Sequence, residues 1–260
     1  MAKYTVKRLL YSALILFFVM FLIYVLMYNM PMGFIETKAR ELASRPGASK
    51  SYSEWLADLN AQYGMDKGIV QGYFTWLKSA VRGEWGESWS WTVPVTQKFH
   101  DTVWYSFALG LVSFILEILI AIPLGIAAAR KQYSFTDYFT TVVSMICISM
   151  PTFFLATILK YVFSVKLGWL PANGSTTTGF ILPIVTLGLY PMAYITRLTR
   201  SSMLDVLGQD YIRTARAKGV PGKRIIFGHA LKNSLIPVIT YFGPMLAFIV
   251  TGSMVVEQIF

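Results

Sequence analysis

YIRTARAKGVPGKRIIFGHALKNSLIP, residues 211–237, is a basic segment punctuated by glycine and proline and wedged between two long apolar runs. A connection of about thirty residues between apolar helices is rarely mere wiring and points to a functional loop. Its first part, roughly Asp210 to Lys218, is helix-compatible, with Ala215 and Ala217 as small residues. Gly219 ends that helix and Pro221 bars its continuation. A short helix with small side chains can sit deep in a partner's groove, and Arg213, Arg216 and Lys218 can pair with acidic residues around it. Lys223 and Arg224 precede a helical lead-in through Ile225, Ile226 and Phe227, with His229 on the helix surface. A basic loop held near lipid headgroups is the plainer reading, and charge alone favours it.

Working outward, the composition demands a membrane. Apolar residues make up 55% of the 260-residue chain and charged residues 14%, well below the charged quarter or so of soluble domains. Leu9 to Met30, Phe180 to Thr196 and Leu235 to Val256 hold no charge, Thr102 to Ala129 holds only Glu117, and Tyr138 to Val165 holds only Lys160. About 20 helical residues cross a bilayer core, so five segments qualify as spans. The first is preceded by Lys3, Lys7 and Arg8 like a signal peptide, but its apolar run is too long and no small-x-small site follows, so it reads as an uncleaved span.

Lys and Arg in the short flanks set the orientation. With the N-terminus inside, Lys3, Lys7, Arg8, Arg130, Lys131 and the eight basic residues between Arg197 and Lys232 are cytoplasmic, while the opposite loop 166–179 holds only Lys166. The net charge of +10 is therefore membrane-flanking charge, and nucleic-acid binding is set aside. The lone Cys147, inside the third span, excludes an intrachain disulfide or a Cys-based metal site.

The chain divides into residues 1–30, a translocated insertion at 31–101, and a core at 102–260 with its basic loop at 197–234. Within the insertion, Ser51 and Glu54 have capping-box spacing, Trp55, Leu56 and Leu59 share one face, and Gly64 offers a stop. Asp66 is positioned to cap a second helix whose Ile69, Val70, Tyr73, Phe74, Trp76, Leu77 and Val81 recur at helical spacing. The two helices pack on each other and on span ends, or form a lip for a solute-delivering protein.

No catalytic constellation is present. His100 and His229 fall on opposite sides of the membrane, and HExxH and Gly-x-Ser-x-Gly patterns are missing. The glycines of Gly219-Val220-Pro221-Gly222-Lys223 stand too close for a phosphate loop. Glu117 is the most unusual residue, a carboxyl near mid-span where ionisation is expensive. It either lines a solute pathway, where it can meet a peptide amino group, or makes a structural hydrogen bond. Lys160 differs from it in depth by roughly 15 Å, at about 1.5 Å per residue, and snorkels outward instead of pairing with it. Pro123, Pro151, Pro183, Pro191 and Gly188 interrupt spans two to four, through kinked packing or gating.

The basic loop resembles the cytoplasmic loop of permease subunits of bacterial ABC importers, whose pattern is Glu-Ala-Ala, three residues, then Gly. Ala215, Arg216-Ala217-Lys218 and Gly219 fit it, while Arg213 and Thr214 stand where the Glu and first Ala belong. That departure, with the following HALKNSLIP, is similar to the dipeptide/oligopeptide/nickel branch. Tyr63-Gly64-Met65-Asp66-Lys67, Gln71, Trp76-Leu77 and Gly83–Ser88 resemble its segment after the first helix, with Gly68 replacing a usual Pro. Ile122–Gly125, Met150–Phe153, Leu167–Pro171, Tyr194, Arg197–Arg200 and Gln209–Tyr211 match further family signatures in order.

The resemblance implies an all-α integral membrane protein, a polytopic bundle with five spans here plus a small external helical insertion. Relatives continue after a Val-Glu-x-x-Phe stretch like Val256–Phe260 into a sixth span, which is expected to be missing. It also implies that Arg213, Thr214, Ala215, Arg216, Ala217, Lys218 and Gly219 dock onto an ATPase, and that the bacterial inner membrane holds the chain with its N-terminus cytoplasmic. Implied partners are a second homologous permease, two ATPase subunits or domains and an extracytoplasmic substrate-binding protein. ATP and Mg belong to the ATPases, and this chain carries no catalytic residue, metal or cofactor of its own. The solutes of such systems include di- and oligopeptides, nickel chelates and glutathione-like compounds. A membrane sensor or scaffold without transport is the alternative reading, and an intramembrane enzyme a weaker third.

Overall fold

The structure, a computed structural model, describes residues 2–30, 33–46, 48–88, 91, 93–174 and 176–260. Every regular element among them is helical, and the chain forms two compact units that divide after His100.

In the first unit, α1 (Ala2–Tyr28) carries the charge-free run and is followed by α2 (Phe34–Ala43), α3 (Tyr52–Tyr63) and α4 (Ile69–Val81). Helix α3 starts as its spacing predicts. The Ser51 hydroxyl accepts from the Glu54 amide, and the Glu54 carboxylate accepts from the Ser51 amide at 2.7 Å. It stops at Gly64, left-handed with φ +70°. That glycine is required twice over, since a Cβ there would come within 2.7 Å of the Gly72 carbonyl oxygen. The approach of Gly64 to Gly72 brings the two helices together.

Two expectations for this region are corrected. Asp66 does not cap α4. The chain turns directly after Gly64, Asp66 lies inside that turn, and the extended Gly68 (ψ 151°) is the residue from which the helix starts. Helix α2 was not expected. Its Ile35, Ala39 and Leu42 recur at helical spacing, and they pack with Leu59, Trp55 and Leu56 of α3. The alternating charges of FIETKARELA mask that face.

Tyr73 of α4 is the hub of the unit. It is fully buried, its hydroxyl donates to the Phe17 carbonyl at 2.8 Å, and the rings of Phe17, Phe21 and Tyr24 surround it at 5.1–5.7 Å. Such aromatic pairs add to plain area burial.

Helix α5 (Val95–Arg130) has 36 residues, about 54 Å at 1.5 Å per residue, more than a bilayer core requires. The second unit continues with α6 (Phe135–Ser149), α7 (Thr152–Lys160), α8 (Ile181–Leu207), α9 (Asp210–Ala217), the single turn α10 (Gly222–Arg224), α11 (Leu231–Thr251) and α12 (Met254–Ile259). Wider π-type turns extend α7 through Lys166 and lead into α11 from Ile225.

Among the described residues, four helices are long and apolar enough to cross a membrane, and α6 with α7 makes a fifth span if the pair is counted as one. The third span, Tyr138 to Val165, is broken at Pro151, one of the prolines expected to interrupt it. It bends by 103° at Met150–Pro151, because Pro151 brings no amide donor and forces Met150 into an extended conformation (ψ 127°). The last apolar run is broken too. Helix α11 ends at Gly252 (φ +71°), and α12 restarts under the Ser253 side-chain cap. Helix α8 runs well past Thr196 to Leu207, so Arg197 and Arg200 sit on a helix.

Small residues let these helices approach closely. A Cβ on Gly125 of α5 would lie 2.6 Å from the Thr199 Cβ and 2.7 Å from the Thr196 carbonyl oxygen of α8. Ala121, Ile195, Val238 and Met245 form the buried cluster between α5, α8 and α11.

Candidate functional site

Helix α9 is built to be presented. It has only eight residues, too few to be stable alone in water. Its order comes from Ile212, which is fully buried in a cluster with Ile126, Ala129, Met203, Ile225, Ile226 and Ala230. The Tyr211 hydroxyl accepts from Asn233 Nδ2 at 2.9 Å and ties the start of α9 to α11. The helix closes through the Gly219 amide, which donates to the Arg216 carbonyl at 3.0 Å. Gly219 adopts φ +73°, a left-handed conformation in which a side chain is strained. Pro221 then opens the next turn.

With Ile212 facing inward, Arg213, Thr214, Arg216, Ala217, Lys218 and Gly219 are exposed. Ala215 is partly buried and packs on the cluster around Ile212, so its small size also serves the chain's own packing. The Arg213–Asp210 pair, 3.5 Å long and exposed, contributes little.

The second feature lies between α5, α8 and α11. A cavity of about 400 Å³ is lined by Ser113, Phe114 and Glu117 of α5, Tyr190 of α8, Tyr241 and Met245 of α11, and Glu257 of α12. Glu117 is 4% exposed, and its Oε2 has no hydrogen-bond partner among the described residues. It lies thirteen residues before Arg130, about 20 Å along the helix. Gly188 faces it and leaves space; a Cβ there would stand 3.6 Å from Oε1. Glu257 is satisfied, accepting from the Ser106 hydroxyl at 2.8 Å and the Ser253 amide at 2.9 Å.

Lys160 is not Glu117's partner, as the difference in depth predicts. Its ammonium is partly buried, donating to the Ile259 carbonyl and lying 5.6 Å from the Phe260 ring centre.

Sequence reasoning missed the ion pair that joins α6 to α8. Asp137 is buried, and its carboxylate takes two bonds from Arg200, from Nε and at 2.8 Å from the terminal nitrogen. It also accepts from the amide of Tyr133 at 3.0 Å, a residue with φ +62°. Asp137 lies outside the Tyr138–Val165 window, so the count of charges in that span passed it by. The available signal was a lone acid in the first turn of an apolar helix.

Residues 121–260 match the family described as binding-protein-dependent transport system inner membrane component, and residues 1–96 match its N-terminal family. The chain is 39% identical over 272 residues to the oligopeptide transport system permease protein AppB of Bacillus subtilis, covering 100% of this chain and 84% of that one. It is 41% identical over 214 residues to the permease protein OppB of Salmonella typhimurium, covering 80% and 69%. With the dipeptide transport system permease protein DppB of Bacillus subtilis it shares 36% over 269 residues, covering 100% and 82%. A multi-pass helical membrane protein with these relatives belongs to the ABC-importer permeases of the dipeptide/oligopeptide/nickel family.

Proposed function

We propose that this chain forms half of the membrane pathway of an ATP-driven importer for di- or oligopeptides, and that it couples to ATPase subunits through the segment 210–222. The observation that carries this reading is α9, whose basic side chains stand outward while one buried isoleucine fixes the helix to the core. Force applied to α9 passes through Ile212 to α5, α8 and α11 rather than into a loose loop. The substrate class rests on relatives named as oligopeptide and dipeptide permeases.

In this scheme a second homologous permease completes the pathway, and an extracytoplasmic binding protein delivers the solute beside residues 31–101. Two ATPase subunits hold ATP and Mg and carry the hydrolysis. Their closure moves α9 and rocks the helices between inward- and outward-open states. The N-terminus is cytoplasmic, by the distribution of Lys and Arg. Glu117 lines the pathway.

The test is copurification and transport. The wild-type chain copurifies with nucleotide-binding subunits, and the reconstituted complex accumulates peptide on ATP addition. Gly219→Pro locks φ near −65° at a residue that needs +73° and removes its amide donor. Arg216→Glu reverses charge on the exposed face. Each variant inserts normally but loses coupling between hydrolysis and transport. No ATPase partner and no solute movement for the wild-type chain refute the reading in favour of a sensor or scaffold. Normal coupling in both variants refutes the docking assignment.

A further inference from the structure

The cavity beside Glu117 combines three features that a packing defect does not. It is large, about 400 Å³, within the range of about 300–1,000 Å³ typical of small-molecule sites. Its lining includes a carboxylate that is 4% exposed and has one oxygen without a partner among the described residues. None of the residues lining it is basic. Buried polar atoms are normally satisfied, and the exceptions need a cause. Most of the wall is apolar, so an ionised carboxylate there needs a counter-charge that the lining does not supply.

We propose that the cavity is a transient site for the ammonium group of the transported solute, with Glu117 Oε2 as its acceptor. This rests on the permease reading and deepens it. An ammonium group brings three donors and one positive charge, and a carboxylate is an acceptor only. The charge-assisted bond between them is of the strong kind. Tyr190 and Tyr241 line the same space, and their ring faces favour a cation over an anion. Phe114 and Met245 leave room for an apolar side chain of the solute. The exposed Glu257, held by the Ser106 hydroxyl and the Ser253 amide, lines the same cavity and adds a second acidic group that favours solutes presenting an amine.

The ammonium has two sources in a peptide, the N-terminus and a lysine side chain, and four probes separate them. Trialanine carries the first, N-acetyl-Ala-Lys-Ala the second, Lys-Ala-Ala both and N-acetyl-trialanine neither. Uptake is measured in vesicles holding the complete complex with its binding protein, at matched complex levels and saturating binding protein. Because delivery passes through the binding protein, the readout is the variant-to-wild-type ratio for each probe.

Glu117→Gln keeps shape and removes charge. It lowers uptake of trialanine by about tenfold or more, as expected for a lost hydrogen bond to a charged group, and leaves N-acetyl-trialanine within about twofold. Loss confined to trialanine assigns the site to the N-terminal ammonium, and equal loss for N-acetyl-Ala-Lys-Ala assigns it to either amine. Glu117→Asp retains the charge and restores part of the preference. If Glu117→Gln does not assemble, the Asp variant decides. Retention of the amine preference upholds the proposal, and uniform change across the probes overturns it. Equal loss for all probes in the Gln variant makes Glu117 structural and overturns it, as does no loss for any. A wild-type complex that transports none of the probes removes the permease reading itself, a different outcome from an unaltered probe ratio in a working complex.

Discussion

Replacing Ile212 by Ala separates two ways in which α9 can be held. Ile212 is fully buried in the cluster formed with Ile126, Met203, Ile225, Ile226 and Ala230. The substitution removes three carbons, worth about 0.8 kcal/mol each in lost transfer free energy. The unfilled space raises the total to about 3 kcal/mol. The other tie, the hydrogen bond from Asn233 to Tyr211, is worth about 1 kcal/mol. The isoleucine therefore dominates the local stability of an eight-residue helix that has little of its own. A loss of about 3 kcal/mol multiplies the opening equilibrium by a factor on the order of a hundred. Hydrogen exchange followed by mass spectrometry, on protein in lipid nanodiscs, reads this directly. Peptides covering 210–217 lose protection by that factor, while those covering the middle of α8 and α11 keep theirs. Ile212→Val costs about 1 kcal/mol and gives a loss on the order of fivefold. Unchanged protection of 210–217 in the Ala variant refutes the anchoring. Simultaneous loss across α8 and α11 refutes the claim that the effect is local.

Gly125→Ala places a methyl group 2.6–2.7 Å from Thr199 Cβ and the Thr196 carbonyl and destabilises by about 1–3 kcal/mol; a lower thermal midpoint in detergent checks it, with Gly222→Ala, which meets nothing within 4 Å, as the silent comparison. Removing either partner of the Asp137–Arg200 pair costs about 2 kcal/mol, and the Asp137→Asn, Arg200→Met double variant loses less than the sum, as denaturation midpoints of the four proteins show. Bonds from the Ser51 amide and hydroxyl hold the Glu54 carboxyl below its ordinary value. Because the folded value is the lower one, the stabilisation of α3 is present above the ordinary carboxylate range and is lost as pH falls through the folded value. Exchange at the start of α3, corrected for its intrinsic pH dependence, therefore accelerates on acidification in the wild type and not in Glu54→Gln.

Much of this protein was legible in its sequence because a bilayer imposes a coarse rule. Long charge-free runs must become helices, since an unpaired backbone group has no water to turn to. The same holds for local signals. Ser51 with Glu54, Gly64, and Gly219 before Pro221 act within a few residues, and each start or stop appears where local chemistry places it. Other features depend on which residues meet across the fold. Pro151 marked a break in the third span, but the angle of that break, 103°, is a property of the fold. Asp66 and Gly68 competed for the start of α4, and close packing of Gly64 on Gly72 accompanies the outcome. Ala215 read only as a small residue until Ile212 fixed the rotation of α9 and brought it against the buried cluster. Asp137 found Arg200 sixty-three residues away, and Glu117 found a cavity instead of a cation. Periodicity and capping are properties of a few neighbouring residues, so most helices, though not α2, could be read from the chain before it folds. Rotation about a helix axis and the partner of a buried charge depend on side chains far apart in the chain, and emerge when the helices pack.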